Sequence, residues 1–175
     1  LLTYNYENGK INKLYSFVSN ESVTSSGDTF IPYFKDNLMI GLLYGPITGM
    51  TCGLITGILS LMGSAYIIHP AQFLLDYILP TMLLGLSGLF GSNNKKNIFI
   101  GCLLAVILKN ISHILSGCIY FGEYAWEGWN PLAYSIVYNL SGTGLEGLLS
   151  VIVLTTMPLA KIKKMANIQT TKKVS

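Results

Sequence analysis

An apolar stretch from residue 97 to 120 constrains the fold of this chain most strongly, because it is long enough to cross a lipid bilayer. Lys109 and His113 nevertheless lie near its middle. Ionisable groups at that depth are costly, and they usually mark a functional site. Since the two residues are four positions apart, they share one face of a helix. We therefore predict a spanning helix that forms one wall of a polar pocket.

The composition supports the same class of protein. Apolar residues make up 51% of the 175 residues, and charged residues make up 11%, whereas ordinary soluble domains contain roughly 25% charged residues. The basic residues are all lysines, and they concentrate at positions 95–96 and 161–173. Because lysine favours the cytoplasmic side of a membrane, we expect both segments to be cytoplasmic and predict no nucleic-acid binding.

The remaining apolar segments predict an all-α integral protein of the cell membrane, a compact bundle of five transmembrane helices. The predicted spans cover about residues 31–44, 46–62, 70–90, 97–120 and 130–157. We expect Pro46 to separate the first two spans and Pro80 to kink the third, because proline lacks the backbone N–H that a helix needs. Three cysteines in apolar segments form no CxxC pattern, so we predict packing roles for them and no metal site or cofactor.

The chain divides by composition into three parts. Residues 1–30 are polar and are predicted to form an N-terminal tail, residues 31–160 the transmembrane bundle that holds the polar pocket, and residues 161–175 a basic cytoplasmic tail. Glycines recur every four residues in the first two spans, which permits close approach of helix backbones. They are Gly41, Gly45, Gly49, Gly53 and Gly57. This stripe either packs helices within the bundle or docks a partner membrane subunit.

Polar and aromatic residues are predicted to meet at one depth of the bundle. With the lysine segments inside, Asp76, His113, Phe121 and Tyr134 fall in the outer half and face one outward-facing cavity. A carboxylate among aromatic rings suits a flat heterocyclic cation. The alternatives are a structural Asp76–Lys109 ion pair, a histidine used only in packing, and interfacial roles for the tryptophans of the outer loop.

Four sequence segments carry a resemblance to a known family. They are LLYGPITGMTCGLITGIL, SAYIIHPAQFLLDYILPTMLLGLSGLF, LKNISHILSGCIYF and YAWEGWNPLAYSIVYN. Over about residues 38–157 the chain resembles the thiamine-specific substrate-binding subunit (S component, ThiT type) of energy-coupling-factor transporters. That family has six helices, so the resemblance implies that the first helix is missing from this chain or replaced.

The resemblance also implies a function and a set of site residues. It implies that thiamine is captured in an outward-facing pocket and that a coupling transmembrane subunit and two ATPase subunits drive uptake. The implied ligand-binding positions are Tyr66, Asp76, Tyr77, Lys109, His113, Gly117, Phe121, Tyr134, Tyr138 and Asn139. Two of them depart from the family pattern, which usually has Glu in place of Asp76 and Trp in place of Phe121.

Other functions remain open on the sequence alone. The chain contains no GxxxxGK[ST] phosphate-binding loop and no nucleophile–base set, so we predict neither ATP hydrolysis by that route nor an enzyme. The first alternative is an S component for another flat vitamin or a precursor. The others are an intramembrane enzyme that uses His113 and Asp76 as acid and base, and a purely structural subunit.

Overall fold

The computed structural model describes residues 2–7, 10–16, 30–60 and 66–165. Two antiparallel strands, β1 (Leu2–Glu7) and β2 (Lys10–Ser16), form a hairpin. Six helices follow in the described part of the chain. They are α1 (Phe30–Tyr44), α2 (Pro46–Leu59), α3 (Pro70–Gly88), α4 (Lys95–Tyr120), α5 (Pro131–Thr156) and α6 (Leu159–Met165).

The predicted helical membrane bundle is confirmed, and its five spans correspond to α1 through α5. The helices α3, α4 and α5 have 19, 26 and 26 residues and are long and apolar enough to cross a bilayer. The helices α1 and α2 are shorter, with 15 and 14 residues. The largest difference from the predicted bounds is at the end of α2, at residue 59 rather than 62.

The hairpin lies within the segment that was predicted to be a polar tail. The sequence between its strands is Asn8–Gly9, a dipeptide typical of two-residue hairpin connections, and the tail prediction overlooked this signal. Residues 17–29 lie outside the described residues. The division of the chain into tail, bundle and basic tail stays a prediction.

Glycines bring α1 and α2 into backbone contact with α3. A Cβ atom on Gly53 would collide with the carbonyl oxygen of Thr81, and one on Gly49 would lie 2.6 Å from the carbonyl oxygen of Gly85. Gly41 and Gly57 meet α3 just as closely. We call the four contacts the glycine seam, and they confirm the prediction of packing within the bundle.

Gly45 does not belong to the glycine seam, although it fits the four-residue spacing. It joins α1 to α2 with a backbone φ of 93°, and a Cβ there would meet no atom within 4 Å. A side chain rarely adopts that conformation, so glycine at this position serves the tight connection ahead of Pro46. The break between the two helices therefore falls where Pro46 predicted it.

Two helices each contain one wide, π-helical turn. In α3 this turn covers Leu74–Ile78, and the N–H of Leu79 donates to the carbonyl of Leu74. Pro80 follows at once and has no N–H to offer the carbonyl of Asp76 in a regular helix. The helix nevertheless continues to Gly88, so the irregularity lies one turn before the predicted kink. In α5 the wide turn covers Leu140–Gly144.

An apolar core closes the end of the bundle where α4 begins. It joins α1, α3, α4, α5 and α6 through residues that include Leu42, Leu84, Cys102, Leu154 and Leu159. At its edge, the hydroxyl of Ser92 donates to the carbonyl of Leu42 at 2.7 Å, and the ammonium of Lys163 donates to the Ser92 oxygen. The lysines at 95–96 and those at 161–164 therefore lie at the same end of the bundle, as predicted.

Candidate ligand-binding site

An Asp–His contact between α3 and α4 forms the centre of the candidate site. Oδ1 of Asp76 lies 3.3 Å from Nδ1 of His113, and both side chains are largely buried. Asp76 lies in the π-helical turn of α3, the kind of turn that often occurs at functional sites. Nε2 of His113 is buried and has no hydrogen-bond partner among the described residues.

Gln72 holds the other carboxylate oxygen of Asp76, and the prediction from sequence missed this residue. Its Nε2 donates to Oδ2 of Asp76 at 2.7 Å and to the carbonyl of Tyr66 at 3.4 Å, while its Oε1 accepts from the N–H of Ile68 at 3.3 Å. The side chain is 1% exposed. The four-residue spacing between Gln72 and Asp76 was the available signal, because such pairs meet on a helix surface.

Three tyrosines connect the site to the loops before α3 and after α4. The backbone N–H of Tyr66 donates to the hydroxyl of Tyr77 at 3.1 Å. Tyr124 of the loop after α4 is close enough to interact with the Tyr66 side chain. Interaction with Tyr66, followed by that with the Glu123 carboxylate, raises the pKa of the Tyr124 hydroxyl above its ordinary value.

The predicted residues Gly117 and Asn139 meet where α4 packs against α5. A Cβ on Gly117 would collide with the Ser135 hydroxyl and lie 3.4 Å from Nδ2 of Asn139. The Ser135 hydroxyl donates to the carbonyl of Ile114 at 2.9 Å, and Nδ2 of Asn139 donates to the carbonyl of Ser135 at 2.8 Å. Gly117 is thus required by the close approach of the two helices.

Aromatic rings continue from this contact to the loop between α4 and α5. The ring of Tyr134 lies 5.1 Å from that of Trp126 and 5.7 Å from that of Tyr138. The Phe121 ring lies 6.2 Å from that of Tyr124. Tyr66 and Tyr138 are 61% and 62% exposed, so these two predicted residues lie at the periphery, while Tyr134 and Phe121 are partly buried.

Lys109 lies deeper in the bundle, one turn before His113 on α4. Its side chain is 2% exposed, and it interacts electrostatically with Glu146 of α5 and with His113. Oε1 of Glu146 is itself buried. Glu146, which has no role in the sequence analysis, therefore provides a negative charge near the buried ammonium group.

A groove of about 350 Å³ between α4 and α5 is separate from this polar cluster. Its lining is mainly aliphatic and includes Ile107, Ile111, Ile114, Leu145 and Leu148. Such a lining offers no charge for a polar ligand, so we place the candidate site at Asp76 and His113 instead.

The fold and the site together define a multi-pass membrane protein with a polar and aromatic cluster between its helices. The family model for thiamine transporter protein (Thia_YuaJ) matches residues 11–166, so the chain belongs to the thiamine transporter protein family. The predicted ThiT-type resemblance is therefore confirmed. The family consists of transporters, which also confirms the prediction that the chain is not an enzyme.

Individual relatives agree with the family assignment. The thiamine transporter ThiT of Bacillus subtilis (strain 168) is 32% identical over 136 residues, and the match covers 70% of this chain and 69% of the relative. The thiamine transporter ThiT of Lacticaseibacillus paracasei is 26% identical over 125 residues, and the match covers 65% of this chain and 62% of the relative. A solved structure of ThiT from Listeria monocytogenes has a TM-score of 0.62 and 25% identity, covering 79% of this chain and 78% of that one.

Proposed function

We propose that this chain is the substrate-binding S component of a thiamine uptake system. It captures thiamine in an outward-facing pocket between α3, α4 and α5. The observation that carries the proposal is the Asp76 carboxylate, which contacts His113 and is held by Gln72, whose amide also bonds to the backbone of the loop before α3. The roles of the predicted site residues are part of this proposal.

The chemistry of the cluster suits thiamine. Thiamine contains two flat heterocycles, and its thiazolium ring carries a permanent positive charge that a buried carboxylate attracts. Aromatic rings such as those of Phe121 and Tyr134 attract a flat cation through stacking and cation–π interactions. The buried Nε2 of His113 and the amide of Asn139 offer hydrogen-bonding groups for the edge of the second ring.

The outward orientation rests on the lysine segments. The contact between Lys163 and Ser92 brings both segments to one end of the bundle, whereas Asp76 and His113 lie toward the other end of α3 and α4. Since lysines favour the cytoplasmic side, the pocket faces outward.

Labelling of single cysteines in intact cells tests this orientation. A membrane-impermeant maleimide should label Glu127→Cys in the loop after α4 and miss Asn93→Cys, both of which are exposed positions. Asn93 is preferred to Asn94, whose side chain caps α4. Labelling of Asn93→Cys from outside would show that the topology is the reverse of the proposed one.

Energy for uptake comes from other subunits in this proposal. The sequence contains no phosphate-binding loop of the GxxxxGK[ST] type, so we assign ATP hydrolysis to two separate ATPases joined through a coupling membrane subunit. Because Gly41, Gly49, Gly53 and Gly57 contact α3, the coupling subunit would dock on a surface other than the glycine seam.

Calorimetric titration of the purified protein with thiamine tests the function. Losing a charged partner of a buried ion pair typically costs 2–5 kcal/mol, roughly 30- to several-thousand-fold in affinity. We expect Asp76→Asn to lose thiamine affinity on that scale and Asp76→Glu to retain most of it. Glu127→Gln, which removes an exposed carboxylate from the outer loop, is the matched control and should bind normally.

The same preparation shows whether the protein binds thiamine or another flat vitamin. Mass spectrometry of small molecules that co-purify with the protein should find thiamine. Another vitamin in its place, together with wild-type protein that does not bind thiamine, would support the alternative S component.

A further inference from the structure

Gln72 uses both ends of its side-chain amide in the described contacts. The nitrogen donates to the carboxylate of Asp76 and the carbonyl of Tyr66, and the oxygen accepts from the N–H of Ile68. A side-chain amide has two N–H donors and one acceptor oxygen, so both donors and the acceptor are engaged. A rotated amide would turn its oxygen toward the carboxylate, which also accepts hydrogen bonds. The orientation of the amide is therefore fixed.

The two oxygens of Asp76 consequently have different partners. Oδ1 faces His113, while Oδ2 accepts from Gln72 at 2.7 Å, a short distance typical of a hydrogen bond to a charged group. An amide is neutral, so it orients the carboxylate without cancelling its charge. A lysine or arginine at position 72 would orient the same oxygen and neutralise it.

We infer that Gln72 is a positioning residue that determines specificity, because it presents Asp76 as an oriented, uncancelled negative charge and thereby favours cationic ligands. This inference rests on the proposed function. Gln72 also joins the charge to the outer loop, since the carbonyl of Tyr66 and the N–H of Ile68 are both held by its amide. The position of the carboxylate thus depends on the loop at 66–69.

A pair of ligands separates this role from a general structural one. The probes are thiamine and a neutral analogue in which thiophene replaces the thiazolium ring. Gln72→Met keeps the length of the side chain and removes its hydrogen bonds. We expect this substitution to weaken thiamine binding roughly 10- to 100-fold, which is the scale of one hydrogen bond to a charged group. Binding of the neutral analogue should change little. In the Asp76→Asn background, Gln72→Met should have almost no further effect on thiamine.

A reciprocal pair provides the second variant, in case Gln72→Met folds poorly. Gln72→Asn shortens the amide by one methylene and should weaken thiamine binding. Adding Asp76→Glu lengthens the carboxylate by one methylene and should restore most of the affinity, because the two groups meet again. Thermal unfolding of each variant in detergent monitors folding.

The outcomes are distinguishable. Wild-type protein that does not bind thiamine would contradict the proposed function. If wild type binds, an equal loss for both ligands in Gln72→Met, or additive effects with Asp76→Asn, would overturn the inference alone. Failure of the reciprocal pair to recover affinity would also overturn it.

Discussion

The glycine seam and the candidate site both depend on α3, yet they contact this helix in opposite ways. Along the seam, α1 and α2 approach so closely that backbone meets backbone, as at Gly53 and Thr81. At the site, the wide turn of α3 carries side chains that contact α4 through polar atoms, as Asp76 contacts His113. The interface of α3 with α1 and α2 therefore excludes side chains, whereas its interface with α4 contains them.

This difference predicts which positions tolerate substitution without loss of folding. A backbone contact cannot be relieved by moving a side chain, so substitutions at the seam should affect folding. A polar contact in the site can be lost while the helices stay packed, because the seam and the apolar core hold them. Substitutions at the site should therefore affect binding more than stability.

The largest expected effect is at the centre of the seam. Gly53→Val would place a branched side chain against the Thr81 carbonyl, and overpacking without room to relax should cost more than about 4 kcal/mol. We expect little folded protein in size-exclusion chromatography of the detergent extract. Gly142→Ala is the matched control, since a Cβ there meets no atom within 4 Å. A well-folded Gly53→Val protein would contradict the claim that the glycine seam excludes side chains.

A buried charge should give the next largest effect. Glu146→Gln removes the negative charge near Lys109, and breaking a buried pair by removing one partner costs about 3 kcal/mol or more. Thermal unfolding should show the loss, and Lys109→Met added to Glu146→Gln should recover part of it. An unchanged unfolding temperature in Glu146→Gln would show that the Lys109–Glu146 interaction does not stabilise the bundle.

A smaller effect is expected where the lysine segments meet. Ser92→Ala removes a hydroxyl that donates to Leu42 and accepts from Lys163, which should cost about 1–2 kcal/mol of stability. Thiamine affinity should stay unchanged, because the contact lies at the opposite end of α4 from His113. Asn93→Ala, at the neighbouring exposed position, is the control. A fall in affinity in Ser92→Ala would show that the two ends are coupled.

The smallest effect is expected at Phe121, in the candidate site itself. Phe121→Trp provides a larger ring with a stronger cation–π face and should tighten thiamine binding by about 0.5–1.5 kcal/mol, with stability unchanged. Calorimetric titration measures the change. The control is Phe90→Trp, an exposed aromatic position at the other end of the bundle. Unchanged affinity in both Phe121→Trp and Phe121→Ala would place residue 121 outside the pocket.

The sequence predicted the helices well because long apolar runs and prolines define them directly. It also predicted that Asp76 and His113 lie at one depth, because ionisable residues in a membrane need polar partners. It missed Gln72, whose importance depends on which loop atoms come near its amide, and it misjudged Gly45, whose spacing imitates the seam. The interaction between Tyr66 and Tyr124 connects two loops that are far apart in the chain, so no local pattern indicated it.

The wide turn at Leu74–Ile78 has a consequence for how this family tolerates insertions and deletions. A π-helical turn holds one residue more than a regular helix over the same contacts, and one residue corresponds to about 100° of rotation. Deletion of a single residue there could restore a regular helix while Pro80 and the seam contacts at Thr81 and Gly85 stay in place. The deletion would turn Asp76 or Gln72 away from its present partner. When relatives are aligned across this turn, the residue that carries the carboxylate should therefore be matched to Asp76, even where this requires a gap of one residue.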